Sequence, residues 1–160
     1  MVTPEEDATI DTNSVSYSIR GRHYARMVSH FPHYATAGGR GEGWRDSVVT
    51  SPRAYLLYFH GGGFLFGHRD DLPLQTLDAL RREGFSVLSF DYGLAPFTQI
   101  DTILDEVRES VRWFVHGMRS GLFPDAPYFL WGRSAGAYLC LMAGMADCAV
   151  PPAGILSYYG

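Results

Sequence analysis

Tyr128-Phe129-Leu130-Trp131-Gly132-Arg133-Ser134-Ala135-Gly136 decides how this chain is read. Four apolar residues at its start read as a buried strand, and Ala137-Tyr138-Leu139-Cys140-Leu141-Met142-Ala143 after it reads as a helix. Gly-x-Ser-x-Gly between a strand and a helix is the pattern of a tight turn that holds a serine hydroxyl out over the end of a sheet. A serine so placed is a candidate nucleophile, and it needs a neighbouring base. No histidine follows Ser134, and all six histidines precede it.

Working outward, the same alternation extends back to Tyr55. Ala54-Tyr55-Leu56-Leu57-Tyr58-Phe59 is a continuous apolar run, expected of a strand covered on both faces. A glycine loop follows, then a helix over about 72–83 closed by Gly84, then the strand Phe85–Phe90. Ile100, Ile103, Leu104, Val107, Val111, Phe114, Val115 and Met118 fall on one face of a helix spanning 99–118, which Gly121 ends. The elbow helix is expected to run to about Asp147, and a last strand to cover Gly154–Tyr159. Alternating strands and helices predict an α/β fold, a mostly parallel sheet with helices on both faces. In such sheets ligands bind beyond the carboxyl ends of the strands, where the glycine loop and the elbow converge.

Upstream, residues 1–13 read as a loose acidic lead-in, and residues 14–160 as one domain. Alternation from Ser14 to Val28 suggests a β-hairpin turning at Gly21. Gly38-Gly39-Arg40-Gly41-Glu42-Gly43 reads as a flexible loop; it lacks the lysine and the helix that a phosphate cradle requires. A net charge of -4 carries no basic stripe for nucleic acid. No apolar run approaches the roughly 20 residues that span a bilayer, and the start has no signal-peptide pattern. Cys140 and Cys148 lie roughly 12 Å apart along a helix, too far for a disulfide, and read as small core residues. The setting that fits is reducing and cytoplasmic. The histidines and cysteines show no ligand spacing, so no metal or cofactor is expected.

His60-Gly61-Gly62-Gly63-Phe64 follows the first buried strand directly, and glycines let backbone N–H groups approach a ligand closely. Aimed at a carbonyl oxygen, such donors stabilise the charge that grows during acyl transfer, roughly 2.7–4 kcal/mol of barrier for one donor. These two motifs, with Asp91-Tyr92-Gly93-Leu94-Ala95-Pro96 as a third, resemble the α/β-hydrolase superfamily in its hormone-sensitive-lipase-like esterase branch. The resemblance covers about residues 50–160. It implies that Ser134 is the nucleophile and that Gly61, Gly62 and Ala135 supply the oxyanion hole, with Gly63 beside them. It gives His60 the task of shaping the loop, and it implies a small-molecule ester as substrate. The sequence departs from the branch's pattern at Gly93, where Arg is usual, at Phe97, where Glu is usual, and at Arg133, where Asp is frequent.

In the superfamily an acid and then a histidine follow the serine. Here Asp147 is the one carboxylate downstream, in or just beyond the elbow helix, which is the wrong place for the acid; with His60 assigned to the loop, His68, a few residues beyond it, is the one histidine to weigh as a base. The chain is therefore expected to be the amino-terminal part of an α/β-hydrolase domain, lacking the last strands and inactive as it stands. That ending leaves Ile155-Leu156-Ser157-Tyr158-Tyr159 as a bare edge open to self-association. Peptidase or amidase action, and a non-catalytic binding member of the fold, are the alternative readings. Asp91 is expected to hold a loop. Phe64, Phe66, Tyr92 and Phe97 either line an acyl pocket or, more often for aromatics in such numbers, belong to the core.

Overall fold

The computed structural model describes residues 15–19, 22–31, 51–145 and 149–160. Its elements run β1 (Val15–Ile19), β2 (Arg22–Phe31), β3 (Ala54–Phe59), α1 (Leu74–Arg82), β4 (Phe85–Phe90), α2 (Ile100–Arg119), β5 (Tyr128–Arg133), α3 (Ala135–Gly144) and β6 (Gly154–Tyr158). The lead-in, the Gly38–Gly43 loop, the hairpin turn at Gly21, and Asp147 with Cys148 lie outside the described residues.

One six-stranded sheet in the order β1-β2-β4-β3-β5-β6 carries the fold. From β4 to β6 every pairing is parallel, while β1 and β2 pair antiparallel to each other and β2 antiparallel to β4. The expected hairpin is thus present as a paired β1 and β2, joined to the sheet where Val28 faces Phe90.

β3 sits inside the sheet, and all six of its residues are buried. Its side chains alternate between the two faces as the pleat requires. Leu56 and Tyr58 pack with Val87, Leu72 and Leu77 beneath α1. Tyr55, Leu57 and Phe59 pack with Leu88, Phe90 and Leu130 against α2 and α3. Helices therefore lie on both faces. Phe114 of α2 anchors the larger layer, its ring 5.0 Å from Tyr55, 5.2 Å from Phe123 and 5.4 Å from Tyr128.

Several element bounds differ from the sequence reading. α1 begins at Leu74 because Pro73 is extended (φ -59°, ψ 128°) and a residue before proline is kept out of the helical region. Leu72 instead packs beneath the helix as a buried loop residue. β5 runs on through Arg133, so the strand reaches the turn itself. α3 closes at Gly144 with Met145 as its cap.

Candidate active site

β3 and β5 are parallel neighbours in register, with Phe59 opposite Gly132. Counting on from that pair brings His60 beside Arg133 and Gly61 beside Ser134. The geometry agrees: a Cβ built on Gly61 would lie 3.4 Å from the Cβ of Ser134 and 3.0 Å from the carbonyl oxygen of Arg133. Two motifs some 70 positions apart thus meet because adjacent strands end at the same level.

Ser134 joins β5 to α3 with φ 53° and ψ -120°, a conformation costly for any residue with a Cβ. Backbone bonds hold it there. Its N–H donates to the carbonyl of Tyr158 at 2.7 Å, and its own carbonyl accepts from Ala137 at 2.9 Å and Tyr138 at 3.2 Å. The turn also needs bare backbone behind it. A Cβ on Gly136 would sit 2.0 Å from the Phe59 carbonyl oxygen. Ser134 itself is exposed, and Ala135, the first helical residue after it, has no intrahelical acceptor for its N–H.

The glycine loop is shaped by side chains. His60 is buried, its ring stacked on Tyr92 with centroids 4.2 Å apart and planes 13° from parallel. The Tyr92 hydroxyl donates to the His60 carbonyl at 2.7 Å. His60 Nδ1 lies 2.7 Å from the Gly61 carbonyl, so that nitrogen carries the proton and donates. Burial pushes the imidazole pKa below its ordinary 6.5, against smaller opposing effects of the Gly61 bond and of Asp91. Burial likewise pushes the Tyr92 phenol up. Beyond His60, Gly62 takes φ 118°, open to glycine alone, and its carbonyl accepts from Leu65 at 3.0 Å and Phe66 at 3.2 Å.

Ser134 opens onto a depression of about 440 Å³ lined by Gly63, Phe64, Ile100, Ala135, Tyr138, Tyr159 and Gly160. Of the residues singled out in the sequence, Ser134, Ala135, Gly63 and Phe64 meet here. Gly61 is buried against the elbow, and Gly62 is half-buried one residue further on. His68 turns elsewhere. Its Nδ1 lies 3.2 Å from Asp70 and its Nε2 3.8 Å from Asp91. Asp91 holds a loop, accepting the Arg69 N–H at 2.8 Å and pairing with the Arg69 guanidinium.

Of the four aromatics, Phe64 lines the depression and Tyr92 lies in the core, whereas Phe66 and Phe97 do neither, being 69% and 96% exposed. At Gly93 the space is taken, since a Cβ would meet the Thr98 hydroxyl at 2.5 Å. The Gly93 N–H donates to the carboxylate of Glu106 at 2.7 Å. Ile100, Tyr138 and Tyr159 were missed. Tyr138 was within reach, one helical turn after Ser134 and so on its side of α3.

Among the described residues no helix is long and apolar enough to cross a membrane. A family model for the alpha/beta hydrolase fold matches residues 56–160. The chain is 32% identical over 104 residues to Lipase 2 of Moraxella sp. (strain TA144), covering 64% of this chain and 23% of that protein. It is 26% identical over 130 residues to a kynurenine formamidase of Danio rerio, covering 80% of this chain and 42% of that one. An alpha/beta hydrolase superfamily protein of Enterococcus faecalis superposes with a TM-score of 0.59 at 28% identity, over 83% of this chain and 41% of its own. The chain spans less than half the length of each of these three relatives. With the sheet order, the strained serine turn and the matched segment in agreement, this chain belongs to the alpha/beta hydrolase fold family, and the proteins similar to it include esterases and lipases.

Proposed function

We propose that this chain carries the nucleophile half of a serine ester hydrolase centre. The observation that supports this most is the conformation of Ser134: a positive φ, held against the glycine loop, with the residue exposed on an apolar depression. In this reading Ser134 Oγ attacks the ester carbonyl carbon. The carbonyl oxygen takes the negative charge and receives hydrogen bonds from the N–H groups of Ala135, Gly61 and Gly62. Collapse of that intermediate expels the alcohol and leaves an acyl-serine, which water then cleaves.

The serine proton must go to a base, and neither of the two histidines nearest in sequence to the glycine loop lines the Ser134 depression. His60 is buried against Tyr92, and His68 lies against Asp70 and Asp91. In this reading the 160-residue chain alone turns esters over negligibly. A base supplied from solution tests this directly. With a fluorophosphonate probe read by peptide mass spectrometry, added imidazole should raise labelling at Ser134 about tenfold or more, well short of a positioned base. Ser134→Ala should abolish it. Labelling that is unchanged in the variant, or that falls on other serines equally, defeats the proposal.

Amide cleavage through the same serine is a second reading, favoured by the likeness to kynurenine formamidase over 80% of the chain. Competition of a formamide against an acetate ester for the probe distinguishes the two.

A further inference from the structure

Glu106 is the buried carboxylate of α2. It stands among Ile103, Val107, Ser110 and Val111 on the core side of the helix, where a charge is costly unless it is bonded. Its Oε2 accepts the N–H of Gly93 at 2.7 Å. The fit depends on glycine, since a Cβ at Gly93 would lie 2.9 Å from that same oxygen. Gly93 belongs to the segment that leaves β4, and this segment ties down the glycine loop and the stretch beyond it. Asp91 accepts the Arg69 N–H at 2.8 Å, and the Tyr92 hydroxyl donates to the His60 carbonyl at 2.7 Å. The Ala95 N–H donates to the Phe64 carbonyl at 2.7 Å.

We propose that Glu106 is a positioning residue for the oxyanion donors of the glycine loop. Its bond to Gly93 fixes the backbone that carries Tyr92, and Tyr92 in turn holds the carbonyl of His60, the residue before Gly61 and Gly62. The proposal rests on the reading of Ser134 as a nucleophile served by those N–H groups. Such donors act only when they lie about 2.7–3.1 Å from the charged oxygen, so a displacement of about 1 Å removes most of their effect. The bond needs an acceptor at the full reach of this side chain. Gln presents a carbonyl oxygen at the same place, Asp falls short by one methylene, and Leu fills the space without an acceptor. The same contact accounts for Gly93 where Arg is usual, because a side chain there would press on Glu106 and Thr98.

Comparison of the 160-residue chain with Glu106→Leu, Glu106→Asp and Glu106→Gln tests the proposal. Imidazole-assisted labelling of Ser134 by the fluorophosphonate is one readout, and amide hydrogen exchange over residues 60–66 is the other. Labelling should slow about tenfold or more in the Leu and Asp variants and stay within about twofold in the Gln variant. Exchange over 60–66 should quicken in the first two and not in the third. Leu77→Ala, a core change beneath α1, shows the effect of lost stability alone and should move neither readout. If Glu106→Leu does not fold by circular dichroism, Glu106→Asp carries the comparison. Tyr92→Phe cuts the next link, and joined to Glu106→Asp it should slow labelling no more than the slower single variant does. The proposal is overturned by Leu and Asp variants that label and exchange like the parent chain, or by a Gln variant that loses as much as they do. Losses that Leu77→Ala shares, or that add up in the double variant, overturn it equally. Exchange that responds as stated while Ser134 fails to label keeps the positioning role and sinks the hydrolase reading. Labelling at Ser134 that no Glu106 variant alters does the opposite.

Discussion

The glycine loop after β3 and the elbow after β5 leave neighbouring strands at the same level, yet they are held in opposite ways. The loop takes its positive φ angles largely at glycines, Gly62 and Gly63, and draws its shape from packed side chains, the His60–Tyr92 stack and the Tyr92 hydroxyl. The elbow takes its positive φ at a serine and is held by backbone alone, wedged between the Phe59 carbonyl and the carbonyl of Tyr158. The proposed chemistry accounts for that difference. Under it the loop's donors would be backbone N–H groups, which lose nothing by being glycines, whereas a nucleophile must have a Cβ and so would bear the strain.

The comparison can be broken most forcefully at Gly136. Valine there drives a Cβ into the Phe59 carbonyl, and we expect a loss of about 3 kcal/mol or more in chemical denaturation. A loss below about 1 kcal/mol would mean that the elbow is not wedged. Ser134→Gly comes next and has the opposite sign. Removing the Cβ at φ 53° relieves strain of order 1–3 kcal/mol against a glycine entropy cost of about 0.5–1, so stability should rise by about 1 kcal/mol. An unchanged or lower midpoint would deny the strain.

The smallest effect probes the loop through pH. His60 is harder to protonate folded than unfolded, so the unfolded chain binds the extra proton as pH falls below about 6.5. Stability contributed by neutral His60 is therefore full above that value and declines below it, by at most about 1.4 kcal/mol per pH unit. Thermal melts between pH 7.5 and 5.5 should show this decline, and His60→Gln should flatten it. A decline of equal slope in the variant would place the titration elsewhere.

Much of the fold from Tyr55 onward was legible because its elements are buried on the faces that their patterns mark. β3 is apolar throughout and buried throughout, and the stripe from Ile103 to Val115 on α2 faces the core. Ile100, the first residue of that stripe, escaped. It lies where α2 overhangs the depression, and periodicity carries no information about what a helix end overlooks. Tyr159 was hidden for a related reason, since its place in the lining depends on the register that sets Tyr158 opposite Arg133. Phe97 shows the limit of composition. Its side chain reads as core by type but stands exposed on the loop between β4 and α2. The three motifs were readable because tight backbone approach restricts which residues can occupy them.

The bond from Ser134 N–H to the Tyr158 carbonyl has one more consequence. Among the described residues β6 pairs with β5 alone, its Tyr158 standing opposite Arg133. The amide of Ser134 is thus latched to β6 and not to β3 at the buried centre of the sheet. Whatever steadies or loosens β6 is felt at Ser134, through one bond from a strand's end to the turn beside it.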